Sequence, residues 1–137
     1  MLRVVDANLN RAREGLRVCE EVARMILEDS YLTRRCQRLR YDLTRLSGSV
    51  LNGRLLDSRD SRLDVGRPSE RGALTRHRGI RQLVMANAKR VEEALRVLEE
   101  FTRLQSPAAA HSLGALRFRV YSLEQDLLQE LPSVRHR

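Results

Sequence analysis

Apolar residues recur along most of this chain with a spacing of about 3.6, and the strict alternation of a β-strand is hard to find. This spacing predicts amphipathic α-helices. Asp6 is the expected cap of the first helix, Pro107 should break the third helix and Pro132 should stop the fourth. Thr75 is an alternative start for the third helix. The expected helices are, in chain order, residues 6–27, 32–51, 80–104 and 112–131.

The charged and apolar residues of the first helix recur together in the third. DANLNRAREGLRVCEEVAR, residues 6–24, and MANAKRVEEALRVLEEFTR, residues 85–103, are identical at ten of nineteen positions with an offset of 79. LRYDL, from Leu39, is echoed by LRFRV, from Leu116, with the offset shortened by two. Neither hairpin can bury its apolar face alone. We therefore expect an all-α antiparallel bundle of two repeated helical hairpins with approximate two-fold symmetry.

The 137 residues suffice for one domain with a core. We place repeat one at about 6–51, a long basic central loop at about 53–79, and repeat two at about 80–131. The segment from Gly53 to Arg81 holds eight arginines and four acids. A connection of this length is uncommon in a compact domain unless it has a function or is disordered. We favour a functional loop.

Composition and charge indicate the class of protein and of partner. The formal net charge is +8, and all basic residues but Lys89 are arginines. Arginine binds phosphate and carboxylate bidentately, so an anionic partner is expected. No stretch approaches the roughly 18–20 apolar residues of a membrane span, and the first ten residues lack an apolar signal segment, so we expect a cytoplasmic protein. Cys19 and Cys36 lack metal-ligand spacing and are expected as reduced core thiols.

One polar pair recurs where the first and third helices are expected to begin. Asn8 and Arg11 fall on or beside the apolar side of the first helix, and Asn87 and Arg90 repeat them in the third. Helix N-termini and arginine forks bind anions, so the two pairs could form two phosphate sites. The alternative is an asparagine that caps or crosslinks a loop and an arginine whose stem lies along the surface.

The polar side of the repeated helix is also kept in register. Pairing within the helix, as between Arg17 and Glu21 or between Glu20 and Arg24, is one explanation, but it is worth only about 0.2–0.5 kcal/mol per pair. Recent duplication is another explanation, and a charged groove that meets a ligand is a third. Tyr41 and Tyr121 lie in equivalent arms, where core packing is favoured over stacking on a ligand ring.

These residues together resemble a known family. The stretch from Asp6 to Arg24, RDSRLDVG, NAKRVEEALRVLEEF and LRFRVYSLE are similar to the hydroxymethylpyrimidine phosphate kinase domain of bacterial thiamin synthesis. That domain often precedes a thiamin-phosphate synthase barrel and sometimes occurs alone. The resemblance implies transfer of the γ-phosphoryl of ATP to hydroxymethylpyrimidine phosphate, giving the diphosphate. It implies no assignment of individual catalytic residues.

Phosphoryl transfer requires that the two substrates are held in position, that cations neutralise the phosphates and that Mg²⁺ is bound. We choose the candidate residues on this basis. The chain has no P-loop and no protein-kinase motif, so arginine and asparagine are expected to bind the substrates. Asp64 and Asp60 are the favoured Mg²⁺ ligands, with Asp57 less so. The candidates for substrate or phosphate binding are Asn8, Arg11, Asn87, Arg90, Asn10, Arg17 and Arg96.

Two alternatives to the kinase remain open. The first is a non-catalytic module that docks on or regulates a thiamin-phosphate synthase. The second is a nucleic-acid-binding helical domain. Aromatic residues make up only 4% of the chain and glutamate is interleaved with arginine, which argues against the nucleic-acid alternative. The expected partners are therefore a phosphorylated pyrimidine and a nucleotide, with the synthase as a further candidate.

Overall fold

The computed structural model describes residues 1–51, without the side chains of 49–51, and residues 78–132. Within these stretches every regular element is helical, which confirms the all-α fold. None of the helices described there is long and apolar enough to span a bilayer. In chain order the elements are α1 (Leu2–Glu21), a π-helical turn (Val22–Ile26), α2 (Ser30–Leu51), α3 (Ile80–Thr102) and α4 (Pro107–Glu130).

The helix ends differ from the predicted ones at two places. The first helix begins at Leu2 rather than at Asp6, so the prediction of Asp6 as its cap is wrong, and Asp6 is a buried residue inside the helix. The fourth helix begins at Pro107, five residues before the predicted start. Proline has no N–H to offer and suits the first turn, and the side chain of Ser106 caps the helix by accepting a hydrogen bond from the Ala109 N–H at 3.2 Å.

The first connection is short because the chain turns within a few residues. The π-helical turn ends with Leu27 donating to the Val22 carbonyl at 2.9 Å, and Glu28 then adopts a φ of 50°. The Asp29 side chain accepts a hydrogen bond from the Leu32 N–H at 2.9 Å, which satisfies one free donor of α2. This turn places α2 antiparallel to α1.

The four helices form a ring in which each is packed against two neighbours. α1 contacts α2 and α3, and α4 contacts α3 and α2. On α2 and α4, Arg35 contacts Asp126 and Asp42 contacts Arg119, so the residue numbers fall along one helix as they rise along the other. Those two helices are therefore antiparallel, and the fold is a four-helix bundle with its leucine-rich core inside the ring.

α1 and α3 make the most extensive contact, and they too are antiparallel. Leu9 and Leu98 line one small cavity, whereas farther along α1 Gly15 approaches Asn87 and Val91. A Cβ on Gly15 would lie 2.5 Å from Cγ2 of Val91 and 2.9 Å from the backbone oxygen of Asn87. Real side chains do not approach so closely, so Gly15 permits the tight contact between these helices.

Each hairpin contains a buried glutamate bound by an arginine of its second helix. In the first hairpin, Arg40 donates to Glu20 through Nε at 2.9 Å and Nη2 at 2.6 Å. In the second, Arg117 donates through Nε and Nη2 to both oxygens of Glu99. Glu20 and Glu99 are equivalent in the repeat, as are Arg40 and Arg117. The two hairpins therefore repeat this contact, while the two-fold symmetry of the whole bundle and the domain boundaries stay predictions.

Part of the polar side of the repeated helices is buried in the bundle. Three glutamates on that side, Glu20, Glu92 and Glu99, are buried. The predicted pair between Glu20 and Arg24 is replaced by the contact with Arg40 from the next helix. The predicted pair between Arg17 and Glu21 is present at 3.7 Å.

Candidate functional site

The two predicted asparagines lie inside their helices rather than at the helix starts. Asn8 lies six residues after Leu2, the first residue of α1, and its Nδ2 donates to the Val4 carbonyl at 2.8 Å. Asn87 is placed in the same way in α3, where its Nδ2 donates to the Leu83 carbonyl at 2.9 Å. Backbone N–H groups this far along a helix already bond to carbonyls of the preceding turn. The expected anion sites at the helix N-termini therefore do not include these residues.

The two predicted arginines have different partners. Arg11 donates to Oδ1 of Asn8 at 3.4 Å, whereas Arg90 donates to Oε2 of Glu14 at 3.2 Å on the exposed surface. Because α1 and α3 are antiparallel, Asn8 lies near the end of α3 that contains Leu98 and not near Asn87. At 1.5 Å per residue, the eleven positions from Asn87 to Leu98 separate the two asparagines by about 16 Å along the bundle.

The other three predicted binding residues have different surroundings. Asn10 is half-buried on α1. Arg96 is exposed and pairs with Glu100 of its own helix at 3.1 Å. Arg17 borders a groove between α1 and α2. The structure thus brings one of the seven predicted residues to a groove large enough for a small phosphorylated molecule.

The predicted magnesium ligands Asp60 and Asp64, with Asp57, lie outside the described residues. In the two described stretches, no group of three or more His, Cys, Asp or Glu side chains is arranged to hold a metal ion. A resident metal site therefore has no support from these residues.

The groove between α1 and α2, called here the α1/α2 groove, is open to solvent and has a volume of about 740 Å³. Arginines dominate its polar lining, and Tyr41 at its edge is 62% exposed. The side chains that bear on its chemistry are Arg13, Arg17, Glu21, Gln37, Arg40 and Tyr41. This lining combines cations with a free aromatic ring, which suits a phosphorylated heteroaromatic ligand.

A second groove, the α3/α4 groove, has a volume of about 890 Å³ and a different character. Two carboxyl groups, those of Glu92 and Glu124, line it together with Lys89 and Tyr121. Burial of Glu92, with a hydrogen bond to the nearby Glu124 carboxyl, raises the pKa of Glu92 to about 8. At neutral pH the pair therefore shares a proton, as two adjacent carboxyls must when water is partly excluded.

The two grooves contain different residues at equivalent positions. Arg13 in the first groove is equivalent to Glu92 in the second, and Ser47, which accepts a hydrogen bond from Arg13 Nη2 at 3.4 Å, is equivalent to Glu124. A cation and a hydroxyl thus stand where the other hairpin has two carboxyls. The two grooves therefore differ in the chemistry that they offer to a phosphate group.

The tyrosines correct a further expectation. Tyr41 is 62% exposed and Tyr121 is 42% exposed, so the prediction of core packing is wrong for both. Each borders a groove. The Tyr121 ring contacts the edge of Phe118 at 5.9 Å between ring centroids and has the Arg117 guanidinium over it at 5.8 Å. Tyr41 is therefore the better placed of the two for stacking on a ligand, which was the alternative.

Sequence reasoning missed Arg13 as a candidate, although it lies within the stretch that carries the family resemblance. It lies next to Glu14 and one turn before Arg17 on the charged side of the helical wheel, so nothing local distinguishes it from a solvated arginine. The sequence did contain an indication that Glu20 is special, because a glutamate stands at the equivalent position 99 of the second copy. Its partner Arg40 lies on another helix and could not be identified from the sequence.

The sequence of this chain is similar to one protein family and to several named proteins. A family model described as the ThiD2 family matches residues 3–126. The chain belongs to the ThiD2 family. No solved structure matches this ThiD2 chain.

Several relatives of this ThiD2 chain are named thiamine-phosphate synthase. That of Synechocystis sp. is 44% identical over 126 residues, covering 92% of this chain and 36% of the relative. The proteins of Nostoc punctiforme and Thermosynechococcus vestitus are 40% and 42% identical, covering 92% and 91% of this chain and 35% and 34% of the relatives. The ThiD2 chain thus spans about a third of the length of the relatives that it matches.

Proposed function

We propose that this ThiD2 chain is a kinase of thiamine biosynthesis that converts hydroxymethylpyrimidine phosphate into its diphosphate with MgATP. A terminal oxygen of the pyrimidine monophosphate attacks the γ-phosphorus of ATP. The bond between that phosphorus and the oxygen bridging to the β-phosphate breaks, and ADP leaves with the electron pair. The attacking oxygen is already anionic, so the step needs no strong base from the protein.

The observation that carries the proposal is the ThiD2 match over residues 3–126, in a chain whose relatives are named thiamine-phosphate synthase. The match supports a role in thiamine biosynthesis. The resemblance of the repeated helices and of RDSRLDVG to the pyrimidine phosphate kinase domain supports the finer assignment.

The lining of the α1/α2 groove supports the proposal. Phosphoryl transfer depends on cations that neutralise the phosphates and on fixed positions for the two substrates. The α1/α2 groove has three arginines in its lining and an exposed tyrosine at its edge. Its volume of about 740 Å³ is in the range of small-molecule sites.

The competing function is a non-catalytic module that binds a thiamin-phosphate synthase. One observation favours it, namely that the chain corresponds to about a third of relatives named for the synthase reaction. The activity in that name can then reside in the part of the relatives that this chain does not cover. In this case the chain would bind the synthase and turn over no substrate.

One assay separates the two functions. The purified chain is incubated with the pyrimidine monophosphate and MgATP, and ADP and the pyrimidine diphosphate are quantified by chromatography. The kinase should form both in equal amounts, and neither should form when the pyrimidine is omitted. A folded chain that forms no diphosphate, yet co-elutes with a thiamin-phosphate synthase or alters its rate, would favour the docking module.

A further inference from the structure

Arginine partners already occupy the acidic side chains that line the α1/α2 groove. Glu21 pairs with Arg17 at 3.7 Å. Glu14 pairs with Arg90 of α3 at 3.2 Å. The carboxylates at the rim therefore have nearby positive charges and leave little negative charge to repel an anion.

The arginines of the groove are not equally occupied. Arg40 is fixed by two hydrogen bonds to the buried Glu20. For Arg13, by contrast, the described part of the chain provides no carboxylate within ion-pair distance. Within the described stretches, Arg13 is thus the arginine of this groove without a carboxylate partner, and its charge is available to a ligand.

Arg13 is also held loosely. Its Nη2 reaches the Ser47 hydroxyl at 3.4 Å, which is long for a hydrogen bond, and its Nε is buried with no acceptor among the residues that the structure describes. An unsatisfied buried donor is unfavourable, so a ligand that brings acceptors would be stabilised. A rotation of the side chain toward the groove would give Nε and Nη2 an acceptor each, which is the fork geometry of arginine with phosphate.

The α3/α4 groove provides the internal comparison. The position of Arg13 is occupied there by Glu92, whose carboxyl is close to that of Glu124. Lys89 is the cation that lines that groove. Carboxyl oxygens are acceptors and repel phosphate when ionised, so this groove is unsuited to a phosphoryl group.

We propose that the α1/α2 groove binds the phosphoryl group of a substrate with Arg13 as its principal ligand, and that the α3/α4 groove binds no phosphate. The identity of the ligand rests on the proposed kinase function, in which both the pyrimidine monophosphate and ATP carry such a group. Tyr41, at the edge of the groove, is the residue placed to stack on the attached ring.

Calorimetric titration of the full chain tests the assignment. Pyrimidine monophosphate, MgATP and inorganic pyrophosphate are titrated separately into the wild type, Arg13→Gln, Arg13→Lys and the matched control Lys89→Gln. Arg13→Gln should weaken pyrophosphate and at least one substrate by about tenfold or more, Arg13→Lys by less, and Lys89→Gln by under about twofold. The substrate that weakens identifies which phosphoryl group occupies the groove.

Two results would overturn the assignment. One is a folded Arg13→Gln variant that binds all three compounds as the wild type does. The other is an equal loss of affinity in Lys89→Gln. Binding is measured without turnover, so a chain that binds phosphate through Arg13 but makes no diphosphate would refute the kinase and keep this inference. A chain that forms the diphosphate, and whose affinities for the three compounds do not change in Arg13→Gln, would support the kinase and refute this inference.

A measurement on the unsubstituted chain covers the case in which Arg13→Gln does not fold. Pyrophosphate is added to ¹⁵N-labelled protein, and the Arg13 Nε–H resonance is identified by its absence from the Arg13→Lys spectrum. That resonance and the backbone amides that border the α1/α2 groove should shift together. Shifts confined to α3 and α4 would contradict the assignment.

Discussion

Arg119 of α4 and Asp42 of α2 form an ion pair at 2.8 Å, and the two positions are equivalent in the repeat. A residue close to a two-fold axis faces its own equivalent. Two identical copies would place two identical side chains there, whereas one chain with two diverged copies can place an acid opposite a base. The contact is compatible with the predicted two-fold arrangement, which stays a prediction, and here it is attractive.

The buried ion pair of the first hairpin should be important for stability. Arg40→Met keeps the aliphatic stem but leaves Glu20, which is 2% exposed, without its partner. An uncompensated buried charge is strongly destabilising, so we expect the free energy of unfolding to fall by about 2–4 kcal/mol. Urea denaturation followed by circular dichroism measures the change.

The control for this prediction is Arg17→Met. Arg17 and Glu21 form an exposed pair in the same groove, and its loss should cost under about 0.5 kcal/mol. Equal effects of the two substitutions would show that burial does not distinguish the pairs.

The close contact between α1 and α3 predicts opposite effects for two glycine substitutions. Gly15→Ala forces a methyl group against Val91 and the Asn87 backbone, and we expect a loss of about 1–3 kcal/mol in stability. Gly48→Ala, in α2, meets nothing within 4 Å and should gain about 0.5–1 kcal/mol, because alanine favours helix. Thermal denaturation of both variants measures these two stability changes. A Gly15→Ala variant that is more stable than the wild type would contradict the close packing of α1 on α3.

The carboxyl pair of the α3/α4 groove predicts a pH-dependent stability. Glu92 faces Glu124 of α4, Lys89 and Glu93 of its own helix, and Cys19 of α1. Burial raises the pKa of Glu92 from 4.5 to about 8, so the folded protein keeps a proton that the unfolded chain loses. The contribution of Glu92 is therefore complete below about pH 4.5 and is lost as the pH rises toward 8.

Glu92→Gln removes this titration and should gain stability relative to the wild type between pH 5 and pH 8.5. After allowance for the solvent that reaches the groove, we expect a relative gain of about 1–2 kcal/mol. Glu93→Gln, an exposed neighbour, should parallel the wild type. Identical pH slopes for the wild type and Glu92→Gln would refute the assignment.

The two thiols should be unreactive in the folded protein. Cys19 and Cys36 are buried and unbonded to each other, and burial raises the pKa of each to about 12. Thiolate is the reactive form, so labelling by a disulfide reagent at pH 8 should be at least about a hundredfold slower in native protein than in denaturant. Fast native labelling of either thiol would contradict its enclosure.

The sequence pattern predicted the four helices because their periodicity is local. Pro107 was assigned to the end of the third helix, yet it occupies the first turn of the fourth. Proline both ends and begins helices, and the cap by Ser106 decides between the two only once the backbone is seen.

The candidate site was harder to predict because its residues are defined by partners on other helices. A helical wheel places Glu20 outward, and only Arg40 from α2 explains its burial. Arg17 pairs with Glu21 one turn later along the chain, as the sequence predicted, whereas no carboxylate of the described residues lies within ion-pair distance of Arg13. The contact of Arg13 with Ser47 comes from α2 and could not be read from α1 alone.

The central claim is that this chain transfers a phosphoryl group to the pyrimidine monophosphate. The measurement that tests it most directly is incubation of the purified chain with [γ-³²P]ATP, Mg²⁺ and the pyrimidine monophosphate, followed by isolation of the products. The account predicts that the label appears in the terminal phosphoryl group of the pyrimidine diphosphate, with one labelled phosphoryl group transferred for each ADP formed. Label that stays in ATP, or leaves only as inorganic phosphate, while circular dichroism shows a folded helical chain would contradict it.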